Sequence, residues 1–184
     1  MKFNKSILFS LAVGIVIFSL SCKNDDEVSA NNKPVTFENT CCQIPHLEAC
    51  VGGAKVFVPN AFTANEDGVN DIFIPYGGDG VKEISSFKIF NENEIVFEVS
   101  NFQPGDQTYG WDGRLPDGTI EEGIFTYTIS ITNINNETVD FDGAVCCRTS
   151  YFSCVDLEKH CVYGNQQDYA GGFDYTRPSG ENCQ

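Results

Sequence analysis

The sequence predicts an all-β protein, an immunoglobulin-like β-sandwich of about seven strands followed by a disulfide-rich, irregular C-terminal extension. Three observations predict it. Between residues 55 and 148 the chain runs in short alternating segments punctuated by Gly, Asn, Asp and Pro. No stretch there carries a convincing helical period. Beyond Arg148 the chain turns aromatic, glycine-rich and cysteine-bearing, with too little aliphatic material for a core of its own.

In chain order, residues 1–21 read as an export signal: Lys2 and Lys5 form a positive head and Ile7 to Leu20 an apolar run. That run is 14 residues long, short of the roughly 18–20 that span a hydrocarbon core. Cleavage is expected, not retention as a membrane helix. The segment closes on Ser19-Leu20-Ser21-Cys22, which resembles the signal of a bacterial lipoprotein, cut immediately before a cysteine that receives acyl chains. Ser21 and Cys22 fit that pattern, and Ser19 stands where a larger aliphatic residue is usual. Behind it, Lys23-Asn24-Asp25-Asp26-Glu27 resembles the lysine-plus-acidic signal that sends lipoproteins of the Bacteroidota to the outer face of the outer membrane. An ordinary solvated linker is the alternative. Residues 22–40 are then an acylated cysteine, here a palmitate-type anchor in the bilayer, and a flexible tether.

Of nine cysteines, lipidation of Cys22 leaves Cys41, Cys42, Cys50, Cys146, Cys147, Cys154, Cys161 and Cys183. An even number in an exported chain reads as a disulfide framework of four bridges, with connectivity open. Neighbours on a strand point to opposite faces, so Cys41-Cys42 and Cys146-Cys147 should each send their sulfurs to different partners. At least one bridge is expected to join the cysteine-bearing lead-in, residues 41–54, to the 146–161 cluster. Cys42 and Cys50 are separated by seven residues, and Cys147, Cys154 and Cys161 by six each. Zinc sites favour two to four, so His46 and His160 are not expected to complete one.

The strand runs follow at Lys55 to Val58, Ile72 to Ile74, Ile84 to Phe90, Ile95 to Val99, Ile124 to Thr132 and Val139 to Cys147. In the fifth, Phe125, Tyr127, Ile129 and Ile131 occupy one face and hydroxyls the other, the period of a half-buried strand. Trp111, the only tryptophan, is expected to plug the core.

At Val56-Phe57-Val58-Pro59-Asn60-Ala61-Phe62-Thr63-Ala64-Asn65-Glu66-Asp67-Gly68-Val69-Asn70-Asp71 the sequence resembles the opening of the gliding motility-associated C-terminal domain. The likeness continues through Phe87-Lys88-Ile89-Phe90-Asn91, Ile95-Val96-Phe97-Glu98, Gly110-Trp111-Asp112-Gly113 and Gly123-Ile124-Phe125-Thr126-Tyr127, so that residues 55–148 form the resembling module. The resemblance implies a sandwich found at the ends of large surface and secreted Bacteroidota proteins, including gliding adhesins and type IX secretion cargo. Ala64 and Glu66 replace the family's usual Pro and Gly, and Glu92-Asn93 stand where an Arg-Trp-Gly turn is common. In the family the module ends the protein and signals export, whereas here residues 149–184 follow it. A module retained as a folded interaction domain is expected, with delivery supplied by the anchor at Cys22.

In the opening loop, Asn65, Asp67, the Val69 carbonyl and Asp71 alternate like the oxygen donors of a calcium site, with Gly68 permitting a sharp turn. The bidentate Glu of an EF-hand is absent, and an Asx-rich turn bonding its own backbone is the simpler expectation. In the extension, Tyr163 and Tyr169 beside polar neighbours are candidates for stacking on a glycan.

Two of the eleven basic residues, Lys2 and Lys5, fall in the signal, leaving nine against 26 acidic, a net −17 for the mature chain. Such a charge repels nucleic acid, and no basic patch is present. With two histidines, no Gly-x-Ser-x-Gly elbow and no phosphate loop, no enzyme is expected. The sequence therefore predicts a non-catalytic, lipid-anchored outer-membrane protein exposed on the cell surface. Its expected partner is a protein of the surface or of the gliding or type IX secretion machinery. The alternatives are a glycan-binding accessory protein and type IX cargo with no anchor. No cofactor is expected unless the loop takes Ca2+.

Overall fold

The computed structural model describes residues 41–150 and 161–181. Eight strands form two sheets: β1 (Leu47–Val51), β2 (Ala54–Val58), β3 (Ala61–Thr63), β4 (Tyr76–Gly77), β5 (Val81–Asn91), β6 (Glu94–Val99), β7 (Gly123–Asn133) and β8 (Thr138–Arg148). The smaller sheet has the order β1-β2-β4, and the larger β3-β8-β7-β5-β6. The described residues form an all-β sandwich, as expected.

Period-two patterning builds the core. Phe125, Tyr127, Ile129 and Ile131 on β7 are buried while Thr126 and Thr128 face water. They meet Phe87 and Ile89 of β5, Val145 of β8, and Val56 and Val58 of β2 in one continuous cluster. Trp111 sits in it 1% exposed, its ring 4.7 Å from Phe125 and 5.4 Å from Phe62. Its indole N–H donates to the Arg114 carbonyl at 2.8 Å, so the one polar atom of a large apolar plug is satisfied.

The turns follow local chemistry. Gly52 and Gly53, both at positive φ, close the β1–β2 hairpin in two residues. Between β7 and β8, the Asn133 side-chain oxygen accepts from the Asn135 and Glu137 amides at 2.9 and 3.0 Å, an Asx device that sets the turn.

Three strands depart from the sequence reading. β1 lies in the stretch read as a lead-in and pairs β2 along its whole length, Leu47 with Val58 through Val51 with Ala54. β3 is a three-residue strand paired in parallel with β8 and buried throughout, so no alternation betrays it. β4 has two residues. The run Ile72 to Ile74 is not a ladder strand: Phe73 makes an isolated bridge to Trp111, exchanging backbone bonds at 2.8 and 2.9 Å.

β2 and β3 belong to different sheets although two residues separate them. Pro59 has no N–H to continue the first ladder, and the chain crosses at Asn60 to join β8. This corner organises the molecule's candidate site.

Candidate interaction face

Asn60 is 1% exposed, and a buried amide must find partners for its donors and acceptor. Its Nδ2 donates to the Ile44 carbonyl at 2.6 Å, and its Oδ1 accepts from the Val162 amide at 2.7 Å. Its backbone N–H donates to the Val162 carbonyl at 3.1 Å, and its own carbonyl accepts from the Cys146 amide at 2.8 Å. One side chain thus joins the lead-in, the module's opening and the extension, while its backbone holds β8. Beside it, Cys41, Ala61, Cys146, Cys161 and Tyr163 form a second buried cluster.

A disulfide joins Cys41 to Cys146, Cα atoms 5.4 Å apart and 105 residues apart in sequence. It links the lead-in to the later cysteine cluster, as expected, and in the chain-entropy account a loop of this size is worth about 4–5 kcal/mol. Cys50 and Cys161 are also disulfide-bonded. The expectation of four bridges among eight cysteines is corrected at Cys147, which is a buried free thiol. The reason is the alternation of β8. Cys146 faces the lead-in, whereas Cys147 faces the sandwich core, where a Cβ on Gly113 would lie 3.1 Å from its sulfur. Burial pushes the Cys147 thiol up to about 12, with Glu122 and Asp112 adding to the effect. With one thiol reduced, even parity no longer speaks for lipidation at Cys22. Cys22, Cys154 and Cys183 lie outside the described residues, as does the Cys42 side chain.

The loop after β3 is knit from its own side chains. Asp71 Oδ1 accepts from the Asn65 and Glu66 amides at 3.3 and 2.7 Å, and Oδ2 from Gly68 at 2.6 Å. Asp67 accepts from the Val69 amide at 2.8 Å and Asn65 from the Asp67 amide at 3.2 Å. Asx turns therefore account for Asn65, Asp67 and Asp71, and the Val69 carbonyl faces the Thr63 hydroxyl at 3.2 Å. Glu66, standing where the family has Gly, holds φ 61°, a conformation costly for a side chain. Its carboxylate is tied to Arg114 at 2.5 Å in an exposed ion pair.

Residues 161–181 lie across the outer side of β2. Lys55 and Phe57 point away from Val56 and Val58 by strand alternation, yet Phe57 is 0% exposed. Phe173 covers it, ring centroids 5.8 Å apart, with His46 at 4.9 Å from Phe173 and Tyr76 at 6.0 Å from Phe57. The Phe173 amide donates to Glu48 at 2.9 Å, and Asp168 lies 3.6 Å from the Lys55 ammonium. Burial among these rings holds His46 below its ordinary pKa, with Glu48 opposing. The approach is close: a Cβ on Gly78 would meet the Ala170 carbonyl oxygen at 1.8 Å, and one on Gly164 the Tyr76 hydroxyl at 2.3 Å.

The segment's far end grips the opening loop. Glu181 Oε1 accepts from the Thr63 hydroxyl and the Asn70 amide group, both at 2.7 Å, and Asn70 also donates to the Ser179 carbonyl at 2.8 Å. Burial raises the pKa of Glu181 despite these bonds, with Asp67 and Asp71 adding to it. Among the sequence candidates for a glycan, Tyr163 is corrected: it is 0% exposed in the corner cluster and offers no ring face to a ligand. Tyr169 is 96% exposed, with the Arg177 guanidinium 4.7 Å from its ring centre. Asn60, Phe173 and Glu181 were not singled out by sequence reasoning. Pro59, with no N–H to extend a ladder, is the local signal that could have marked the corner at Asn60.

Residues 56–146 match the CHU_C Type IX secretion signal domain family. The chain carries a type IX secretion signal domain. No curated protein matches the chain. The signal domain makes this a protein associated with type IX secretion, and implies a secreted or cell-surface location. The match begins inside β2 and ends within β8. β1 on one side and residues 161–181 on the other therefore lie outside the signal domain while packing directly on it.

Proposed function

We propose that this protein is a non-catalytic outer-membrane lipoprotein, anchored through acylated Cys22, that displays its type IX signal domain on the cell surface as an interaction or adhesion module serving gliding or secretion. The observation that carries this reading is that the signal domain is built into a larger fold. A strand before it, the stretch at Val162 after it, whose carbonyl accepts from the Asn60 and Ala61 amides, and the Cys41–Cys146 bridge are parts of one packed unit. A domain so embedded suits retention with the protein more than removal as a spent signal. The lipoprotein-like Ser21-Cys22 junction and the acidic stretch behind it supply the address. Binding through surfaces and not through a reaction centre accords with the absence of catalytic motifs in the sequence.

Metabolic labelling with palmitate tests the anchor. The parent should take up label and fractionate with outer membranes, and Cys22→Ala should lose both. Protease shaving of intact cells tests display, with complete protection placing the protein on the periplasmic side. A glycan-binding reading is favoured by one observation, the exposed Tyr169 and Tyr175 on the extension. Glycan-array binding abolished by Tyr169→Ala would promote it.

A further inference from the structure

We propose that the outer side of the three-stranded sheet and the adjoining 63–71 loop form a peptide-binding surface on the signal domain, and that residues 164–181 are its resident occupant, a cap displaced by a partner segment of like chemistry: turn-bearing, with an aromatic side chain followed by a carboxylate. The inference rests on the reading of the domain as a module recognised by a partner, and names the face that partner takes.

Four observations carry it. The segment has little regular structure of its own, a single 3-10 turn at Gly164–Gln166 and an isolated bridge between Gln167 and Phe173. Its turns are closed by bonds of its own, the Asp174 amide to the Gln166 carbonyl at 2.7 Å and the Gln166 side-chain amide to the Arg177 carbonyl at 3.1 Å, so that it is a preformed unit laid on the domain. It is held at two separated seats of different chemistry. One is aromatic, where Phe173 lies against His46 and Phe57. The other is polar, where Thr63 and Asn70 present two donors to Glu181. A side-chain aromatic in a pocket plus a carboxylate on paired donors is how short segments gain specificity at small area. The backbones meet so closely at Gly78 and Gly171 that a Cβ on either would fall 1.8 Å from the other strand of chain, and the contact is made by the 168–172 turn, where Gly171 holds φ 85°. Finally, the polar seat is imperfect. Glu181 Oε2 is buried with no hydrogen-bond partner, and Asp67 and Asp71 oppose its charge. A resident held at one end by a half-satisfied carboxylate is one that a better ligand can replace.

Hydrogen exchange read by mass spectrometry on the full chain tests this. Phe173→Ala empties the aromatic seat, and Gly171→Val drives a branched side chain into the Gly78 backbone. In both variants amides of 61–71 and 76–80 should exchange about tenfold faster or more, while β5 and β7 keep the parent's rates. A synthetic peptide of residues 164–181 added in trans should restore slow exchange to Phe173→Ala, and a scrambled peptide should not. Unchanged protection in both variants would overturn the cap. Loss of protection in β5 and β7 as well would make the segment part of the fold and not an occupant, and failure of the peptide to restore protection would remove the binding surface. None of these readouts depends on lipidation or export, so they stand apart from the anchor's own test.

Discussion

Asn60 shows how one polar side chain can hold a molecule's segments in register. Its two amide ends are committed to the lead-in and the extension, and it is buried from water. Asn60→Ala leaves the Ile44 carbonyl and the Val162 amide without those bonds, each loss worth about 1–3 kcal/mol. A destabilisation of about 2–6 kcal/mol is expected, read as a lower denaturation midpoint at constant m-value. Cys147 makes a second prediction at this scale. A thiol pushed up to about 12 and buried in the core has almost no thiolate at pH 8. Native protein treated with iodoacetamide should leave Cys147 unmodified, and denatured, unreduced protein should alkylate it. Recovery of Cys147 in a disulfide peptide would contradict this account. Glu181 sets a pH dependence. Its folded pKa is raised, by burial first and then by Asp67 and Asp71, with Thr63 and Asn70 opposing; Tyr163 also faces it, and Arg148 lies beside Tyr163. Its contribution is therefore fully present below the ordinary Glu pKa and lost as pH rises through the raised value. Glu181→Gln should gain melting temperature over the parent progressively as pH rises above the ordinary Glu range. A difference that stays flat as pH rises would contradict the assignment.

At the scale of elements, the 64–71 loop is knit by its own side chains. Its carboxylates already answer backbone amides at Asn65, Glu66, Gly68 and Val69, so calcium is expected to leave the melting temperature unchanged. A rise on titration would reinstate a site at Asn65, Asp67, Val69 and Asp71 through mass action. Long elements were the legible ones. The alternation of Phe125, Tyr127, Ile129 and Ile131 marked β7 because one of its faces is wet. β3 was hidden because both of its faces are dry and its ladder is parallel and remote, made with β8. β1 was overlooked because its alternation, Leu47-Ala49-Val51, is short and sits among cysteines that suggested a lead-in. The Ile72 to Ile74 run was apolar for a different reason: Phe73 and Ile74 are core side chains on a loop pinned to Trp111. The polar half of the candidate face was not readable at all. Thr63, Asn70 and Glu181 are brought together across more than 100 residues of chain, and no local pattern records such a meeting.

For the whole molecule, the cysteine clusters at either end of the domain foretold that its flanks would be clamped together, and Cys41–Cys146 does so. What the flanks cover was not foretold. Phe57 reads as one more residue of an apolar strand, yet it belongs to the outer side of the sheet and is kept dry by Phe173, His46 and Tyr76 around it. The type IX signal domain is thus held inside a fold that its neighbours complete, and the central claim is that it is displayed with them and not removed. Mass spectrometry of the protein recovered from outer membranes of the producing cells tests that claim most directly. The account predicts a mature chain that begins at an acylated Cys22 and retains both the signal domain and residues 161–181. A soluble product lacking residues 56–146, or a mature chain beginning elsewhere without acylation, would contradict it.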